Sequence, residues 1–192
     1  MGTEFELKYV AEESAFAGLK LEADSWVPYQ MATTYYDTPD AQLGKLHWTL
    51  RRRFENGVSV CTLKTPAGGH GRNEFELECN DIHAAIPQLI EAGAPAELLT
   101  YTASGIEEVC AARFDRLAGK VTLGDTVVEL ALDKGVLIGG GKELPFVEVE
   151  VELKSGSEDA AVNYARALAE KYNMRPEPKS KYKRALMLAG KA

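Results

Sequence analysis

Acids and bases recur at every second position along several short stretches of this chain. Glu4, Glu6 and Lys8 alternate with Phe5, Leu7 and Tyr9. Arg51 and Arg53 share one parity, with Leu50 and Phe54 on the other. Thr62 and Lys64 oppose Cys61 and Leu63, and Arg72, Glu74 and Glu76 oppose Phe75 and Leu77. Glu129 and Asp133 oppose Leu130 and Leu132, while Glu148, Glu150 and Glu152 oppose Val147, Val149, Val151 and Leu153. Grouped carboxylates are hard oxygen ligands suited to Mg2+ or Mn2+. Arginines and lysines drawn from separate segments suit phosphate oxygens. Magnesium is commonly held by a few carboxylates together with substrate phosphates, so the mixture of signs fits a metal–polyphosphate complex better than either sign alone.

A period of two is the signature of a β-strand with unlike faces. Strands are predicted near residues 4–10, 32–36, 48–54, 59–64, 72–78, 117–123, 127–133 and 145–153, several joined by glycine-bearing turns such as Asn56-Gly57, Gly68-Gly69, Gly124-Asp125 and 139–141. Short links favour antiparallel pairing. Asp81 and Ser157 have the character of helix N-caps, each followed by apolar residues at helical spacing. A shorter helix is predicted near 12–21, and the tail "SKYKRALML" also reads as helical; 95–110 carries no clear periodicity. Two architectures satisfy this pattern. One is an open sheet with a wet charged face and an apolar face under helices. The other is a closed barrel of about eight strands whose charges point inward, onto one another, water and a bound ligand.

The chain has 192 residues, enough for one domain with a substantial core. A net charge of −7 argues against a broad nucleic-acid surface, though not against a local basic pocket. Three cysteines with no CxxC pair suit a reducing, cytoplasmic compartment, and no apolar run is long enough to span a bilayer. The scattered histidines lack zinc-ligand spacing.

The ordered series "EFELK" (4–8), "YYDTPD" (35–40), "LRRR" (50–53), "TLK" (62–64), "RNEFE" (72–76), "ALD" (131–133), "EVEVEL" (148–153) and "SKYKR" (180–184) resembles the CYTH domains, or triphosphate tunnel metalloenzymes, over almost the whole chain. "EFELK" matches the family's ExExK signature. The resemblance, closest to the bacterial inorganic triphosphatase-like branch, implies an α+β fold. Its centre would be a closed antiparallel eight-stranded β-barrel, a tunnel, with flanking helices in a single domain over 1–192. It implies that Glu4 and Glu6 help to hold metal and the attacking water, and that Glu148 and Glu150 are metal ligands from across the tunnel. Glu76 and Asp133 fall at acidic positions that support metal or water. Lys8, Arg51, Arg53, Lys64 and Lys181 should contact phosphate oxygens, with Lys181 also acting on the leaving phosphate. Arg184 would share a helical face with Lys181. For the family's later tunnel arginine, in "ARFDR", Arg113 is preferred to Arg116. Arg52 stands where the family usually has an apolar residue, and its parity places it outside.

The expected reaction is Mg2+- or Mn2+-dependent hydrolysis of inorganic triphosphate to diphosphate and phosphate by a monomer or homodimer. A small triphosphate or polyphosphate would be the partner. No motif for reading a base is evident, and the histidine-containing extension often found before ExExK in the cyclase branch is missing. Thiamine triphosphatase, nucleoside or RNA triphosphatase, adenylate cyclase and a non-catalytic polyphosphate-binding module remain alternatives.

Overall fold

The computed structural model describes residues 2–67 and 71–191, with side chains from Phe5 onward. His70 and the Gly68-Gly69 turn lie outside the described residues. So does the side chain of Glu4.

Among the described residues ten strands form one antiparallel ladder: β1 (Gly2–Glu4), β2 (Glu6–Val10), β3 (Val27–Asp37), β4 (Thr49–Glu55), β5 (Val58–Pro66), β6 (Arg72–Glu78), β7 (Glu107–Leu123), β8 (Thr126–Gly139), β9 (Lys142–Ser155) and β10 (Arg175–Pro176). Their order is β1-β6-β5-β4-β3-β7-β8-β9-β2-β10. The ladder is a string of pairings rather than a continuous ring, yet β1 and β2 are separated only by Phe5. One N-terminal segment therefore pairs with β6 through its first half and with β9 through its second. That double pairing brings the two margins of the sheet together and makes a tunnel. With the split N-terminal strand taken once and the two-residue β10 set aside, the wall has the expected eight strands.

Strand parity sorts the side chains as the sequence pattern requires. Tyr9, Leu130, Leu132, Val149 and Val151 turn outward into an apolar cluster with Ala161, Ala165 and Leu168 of α5 (Glu158–Lys171). Leu50, Cys61, Leu63 and Phe75 turn outward into a second cluster, under Ile82, Ala85, Ile86 and Leu89 of α3 (Ile82–Glu91). Asp81 caps α3 by accepting hydrogen bonds from the amides of His83 and Ala84, and Ser157 caps α5 through Ala160. Arg52 lies outside, donating to the Asn80 carbonyl. Among the described residues no helix is long and apolar enough to cross a membrane.

The three strands β7, β8 and β9 are much longer than the pattern predicts. The predicted strand at 117–123 begins ten residues earlier, at Glu107, and 145–153 begins at Lys142. In the added length the sense of the alternation reverses: outer residues such as Arg113, Asp115 and Lys134 are charged and exposed, while inner ones meet a third apolar cluster formed by Met31, Tyr35, Ala112, Phe114, Leu137 and Phe146. That inner cluster is completed by Ala185 and Leu186 of a C-terminal helix, Lys181–Leu188. The remaining short helices are α1 (Phe16–Leu19), α2 (Gln42–Lys45) and α4 (Glu97–Tyr101), and the C-terminal helix is α6.

The seat of α6 depends on Gly139 at the end of β8. A Cβ built there would lie 2.3 Å from the Ala185 carbonyl oxygen and 2.9 Å from the Ala189 nitrogen, so only a bare backbone admits the helix at this distance. The next two residues, Gly140 and Gly141, both have positive φ and form the two-residue link into β9. Gly139→Ala should therefore destabilise the fold by about 1–3 kcal/mol through overpacking. Urea unfolding is expected to show a lowered midpoint with an unchanged slope.

Candidate active site

The inner parity places the charged residues on a common lumen. On one side, cross-strand register aligns Lys8 with Glu150, Glu148 with Asp133, and Asp133 with Arg116. Asp133, Glu148 and Glu150 are buried, and one oxygen from each lies within 4.8 Å of the others. Three cations answer them. The Lys181 ammonium lies 2.8 Å from Asp133, 2.8 Å from Glu148 and 2.7 Å from Glu150. Arg116 donates through Nε and Nη2 to the two oxygens of Asp133 at 2.7 Å each, and also pairs with Glu150. Arg184 pairs with Glu148 from one helical turn beyond Lys181.

Burial and neighbours pull these groups in different directions. Burial raises the Glu148 carboxyl above its ordinary value, though Lys181 opposes this. Glu150 is buried as well, but Lys181, Arg116 and Lys8 outweigh that burial and hold it well below the usual carboxylate range. Burial works against the Lys181 charge, yet Asp133, Glu150 and Glu148 raise its pKa far above that of a free lysine.

The opposite wall is basic. Register aligns Thr33 with Arg53, Arg51 with Thr62, and Lys64 with Glu74. Glu74 lies 3.4 Å from Arg51 and 3.3 Å from Lys64, and Arg53 donates to the Thr33 hydroxyl at 3.1 Å. Burial and the neighbouring Arg51 charge lower the Arg53 pKa, so an added anion would relieve the site. Arg51 Nε and Arg184 Nε are buried donors with no partner among the described residues. An unsatisfied buried donor calls for an acceptor such as a phosphate oxygen.

Lys8, Arg51, Arg53, Lys64, Asp133, Glu148, Glu150, Lys181 and Arg184 lie on this lumen. Glu6 lines the same lumen, 3.1 Å from Lys8, but does not join the three-carboxylate cluster. Glu76 shares the inner parity but is exposed and also stands outside that cluster.

The preference for Arg113 is corrected. Arg113 is exposed and pairs in register with Ala32, one step out of phase with the lumen residue Thr33, so it lies on the outer wall. Arg116 is the tunnel arginine. The two are three residues apart on one strand and must point to opposite faces. The choice was hidden because the predicted strand began only at 117. Sequence reasoning also missed Glu74 as the anchor of Arg51 and Lys64. It further missed Phe114 and Phe146, whose ring centroids lie 5.1 and 5.4 Å from the Lys181 ammonium. No signal in the sequence marks an aromatic residue as a neighbour of a buried cation.

With the fold and this lumen in view, the chain belongs to the CYTH domain family, whose model matches residues 2–186. The inorganic triphosphatase of Haemophilus influenzae is 30% identical over 165 residues, which are 84% of this chain and 46% of that protein. The chain thus spans about half the length of that relative. Among solved structures, HpAC1 from Hippeastrum is described as an adenylyl cyclase candidate with a dominant triphosphatase activity. It superimposes with a TM-score of 0.66 at 17% identity, covering 100% of this chain and 97% of that one. A Pyrococcus horikoshii protein gives 0.65 at 20% identity, covering 96% and 99%. These two likenesses establish the tunnel fold.

Two predictions follow from the electrostatics. Arg116→Met should cost about 3 kcal/mol of stability, because it strips a partner from two buried carboxylates. Arg113→Met, on the exposed wall, should stay within about 0.5 kcal/mol of the parent in the same unfolding experiment. The second concerns Glu74: burial opposes its charge, but Lys64 and Arg51 lower its pKa overall. A carboxylate depressed in the native state adds stability above its unfolded pKa of about 4.3, and that stability is lost as pH falls through the native value. Melting temperature should therefore fall less steeply below about pH 5 in Glu74→Gln than in the parent.

Proposed function

We propose that this chain hydrolyses inorganic triphosphate to diphosphate and phosphate with the help of Mg2+ or Mn2+. The observation that carries the reading is the pairing of unlike walls in one lumen. Three buried carboxylates with converging oxygens face a wall of Arg51, Arg53 and Lys64. The activity of the Haemophilus influenzae relative supports it.

The donor set fits a hard divalent ion: three carboxylates, no thiolate or imidazole, in a buried position next to phosphate-binding cations. Asp133, Glu148 and Glu150 would hold it, with Glu4 and Glu6 as proposed further oxygen donors. A bound divalent ion supplies charge neutralisation at phosphate oxygens and a water of lowered pKa. The chain's own residues do the rest. Arg51, Arg53, Lys64 and Lys8 hold the phosphate chain extended across the lumen. Fixing it in line with the attacking water is most of what phosphoryl transfer needs. Lys181 and Arg184, on α6, meet the charge that develops on the leaving phosphate. No side-chain nucleophile is required.

Three free cysteines, two of them buried, support a reducing, cytoplasmic setting, and we read 1–192 as one tunnel domain. The sequence carries no evident base-reading motif, which favours bare triphosphate over ATP. The test is phosphate release from triphosphate, ATP, thiamine triphosphate and longer polyphosphate with Mg2+ or Mn2+. Triphosphate should give the highest kcat/KM, with no turnover in excess chelator, and Glu148→Gln should lower kcat by about 100-fold or more. Higher efficiency on ATP with release of cyclic AMP would establish a cyclase. Tight triphosphate binding without turnover would make the chain a binding module.

A further inference from the structure

The three carboxylates already surround a cation, and it belongs to the chain. The Lys181 ammonium donates hydrogen bonds to Glu148 at 2.8 Å and Glu150 at 2.7 Å and forms an ion pair with Asp133 at 2.8 Å. With Arg116 and Arg184 alongside, three negative charges meet three positive ones, so the buried cluster is balanced by side chains alone. A Mg2+ ion would need these same oxygens at about 2.1 Å. An ammonium in contact with all three occupies the same space and bears the same sign of charge. The two cations exclude one another.

We propose that Lys181 is the resident counter-ion of the metal-free tunnel. Metal and the Lys181 ammonium then occupy the carboxylate cluster alternately, and metal loading expels Lys181 and loosens the first turn of α6. This rests on the carboxylate cluster being the metal site, as read above. The position of Lys181 in the helix supports the device. It is the first residue of α6, behind the Ser180 cap, where the helix dipole disfavours a positive charge. The anionic cluster keeps it there. Once that anionic charge is neutralised, the first turn loses its main attraction, while Ala185 and Leu186 remain packed in the inner apolar cluster. Movement is thereby confined to the turn that carries Lys181. The released ammonium enters the lumen beside the phosphate chain, so a single event loads the metal and frees the lysine that meets the leaving phosphate.

The experiment uses Mn2+ alone, with the full chain and no phosphate compound. Affinity is measured by calorimetry for the parent, Lys181→Met and Glu148→Gln. Removing the competing ammonium should tighten Mn2+ binding by about tenfold or more, as expected when only a small fraction of molecules has the site free. Equal or weaker binding by Lys181→Met overturns the counter-ion role. Binding that is unchanged in Glu148→Gln, or missing from the parent and Lys181→Met alike, overturns the metal assignment and the proposal with it. Because Lys181→Met leaves buried carboxylates unbalanced and can compromise folding, amide hydrogen exchange on the parent supplies a second readout. Mn2+ should speed exchange at Lys183 and Arg184 while leaving the end of α6 unchanged. Unchanged or slowed exchange at those two amides with Mn2+ bound would also overturn the proposal.

Discussion

The structure turns on keeping three carboxylates out of bulk water. Asp133 and Glu148 are fully buried, and Glu150 nearly so. An isolated charge in such a place is prohibitively costly, and even a paired one is stable only when its hydrogen bonds are well formed. Lys181, Arg116 and Arg184 meet that requirement from two elements. Arg116 comes from the neighbouring strand, while Lys181 and Arg184 come from a helix at the far end of the chain. The tunnel wall and α6 are therefore not independent parts. The helix completes the charge balance that permits the strands to carry acids on their inner face.

Closure of the wall depends on an equally economical device. β1 and β2 form one segment that pairs with β6 before Phe5 and with β9 after it. The same few residues join the margins of the sheet and carry Glu6 and Lys8 into the lumen. Because inner and outer faces alternate along this segment, Leu7 and Tyr9 simultaneously seal the apolar cluster under α5. A shift of one residue in its register would reverse both faces at once.

The lumen is asymmetric in charge. Its acidic wall meets three cations, whereas on the basic wall Arg51 and Lys64 meet Glu74, and Arg53 meets Thr33 and Glu55. Burial and the Arg51 charge lower the Arg53 pKa, and among the described residues the buried Arg51 Nε has no acceptor, so an added anion would be welcome on this wall. A chain of phosphates supplies many oxygens in a row and suits such a surface better than a single carboxylate.

Much of this was legible in the sequence, because strand parity is a local property. The alternation of Glu148, Glu150 and Glu152 with valines requires an acidic face and an apolar face whatever surrounds them. The caps at Asp81 and Ser157 are likewise set by short-range hydrogen bonds. Whether the charged face met solvent or a lumen was not decided locally, since both environments accept the same alternation. That depended on β1 and β2 joining the ends of the ladder. Arg113 and Arg116 could be separated only once β7 was known to start at Glu107, because parity has no origin until the strand has one. The meeting of Lys181 with Asp133, Glu148 and Glu150 lay furthest from sequence reading. It joins residues more than thirty positions apart through the docking of α6, and that docking is set by the bare backbone at Gly139 and the apolar packing around Ala185, neither of which carries charge.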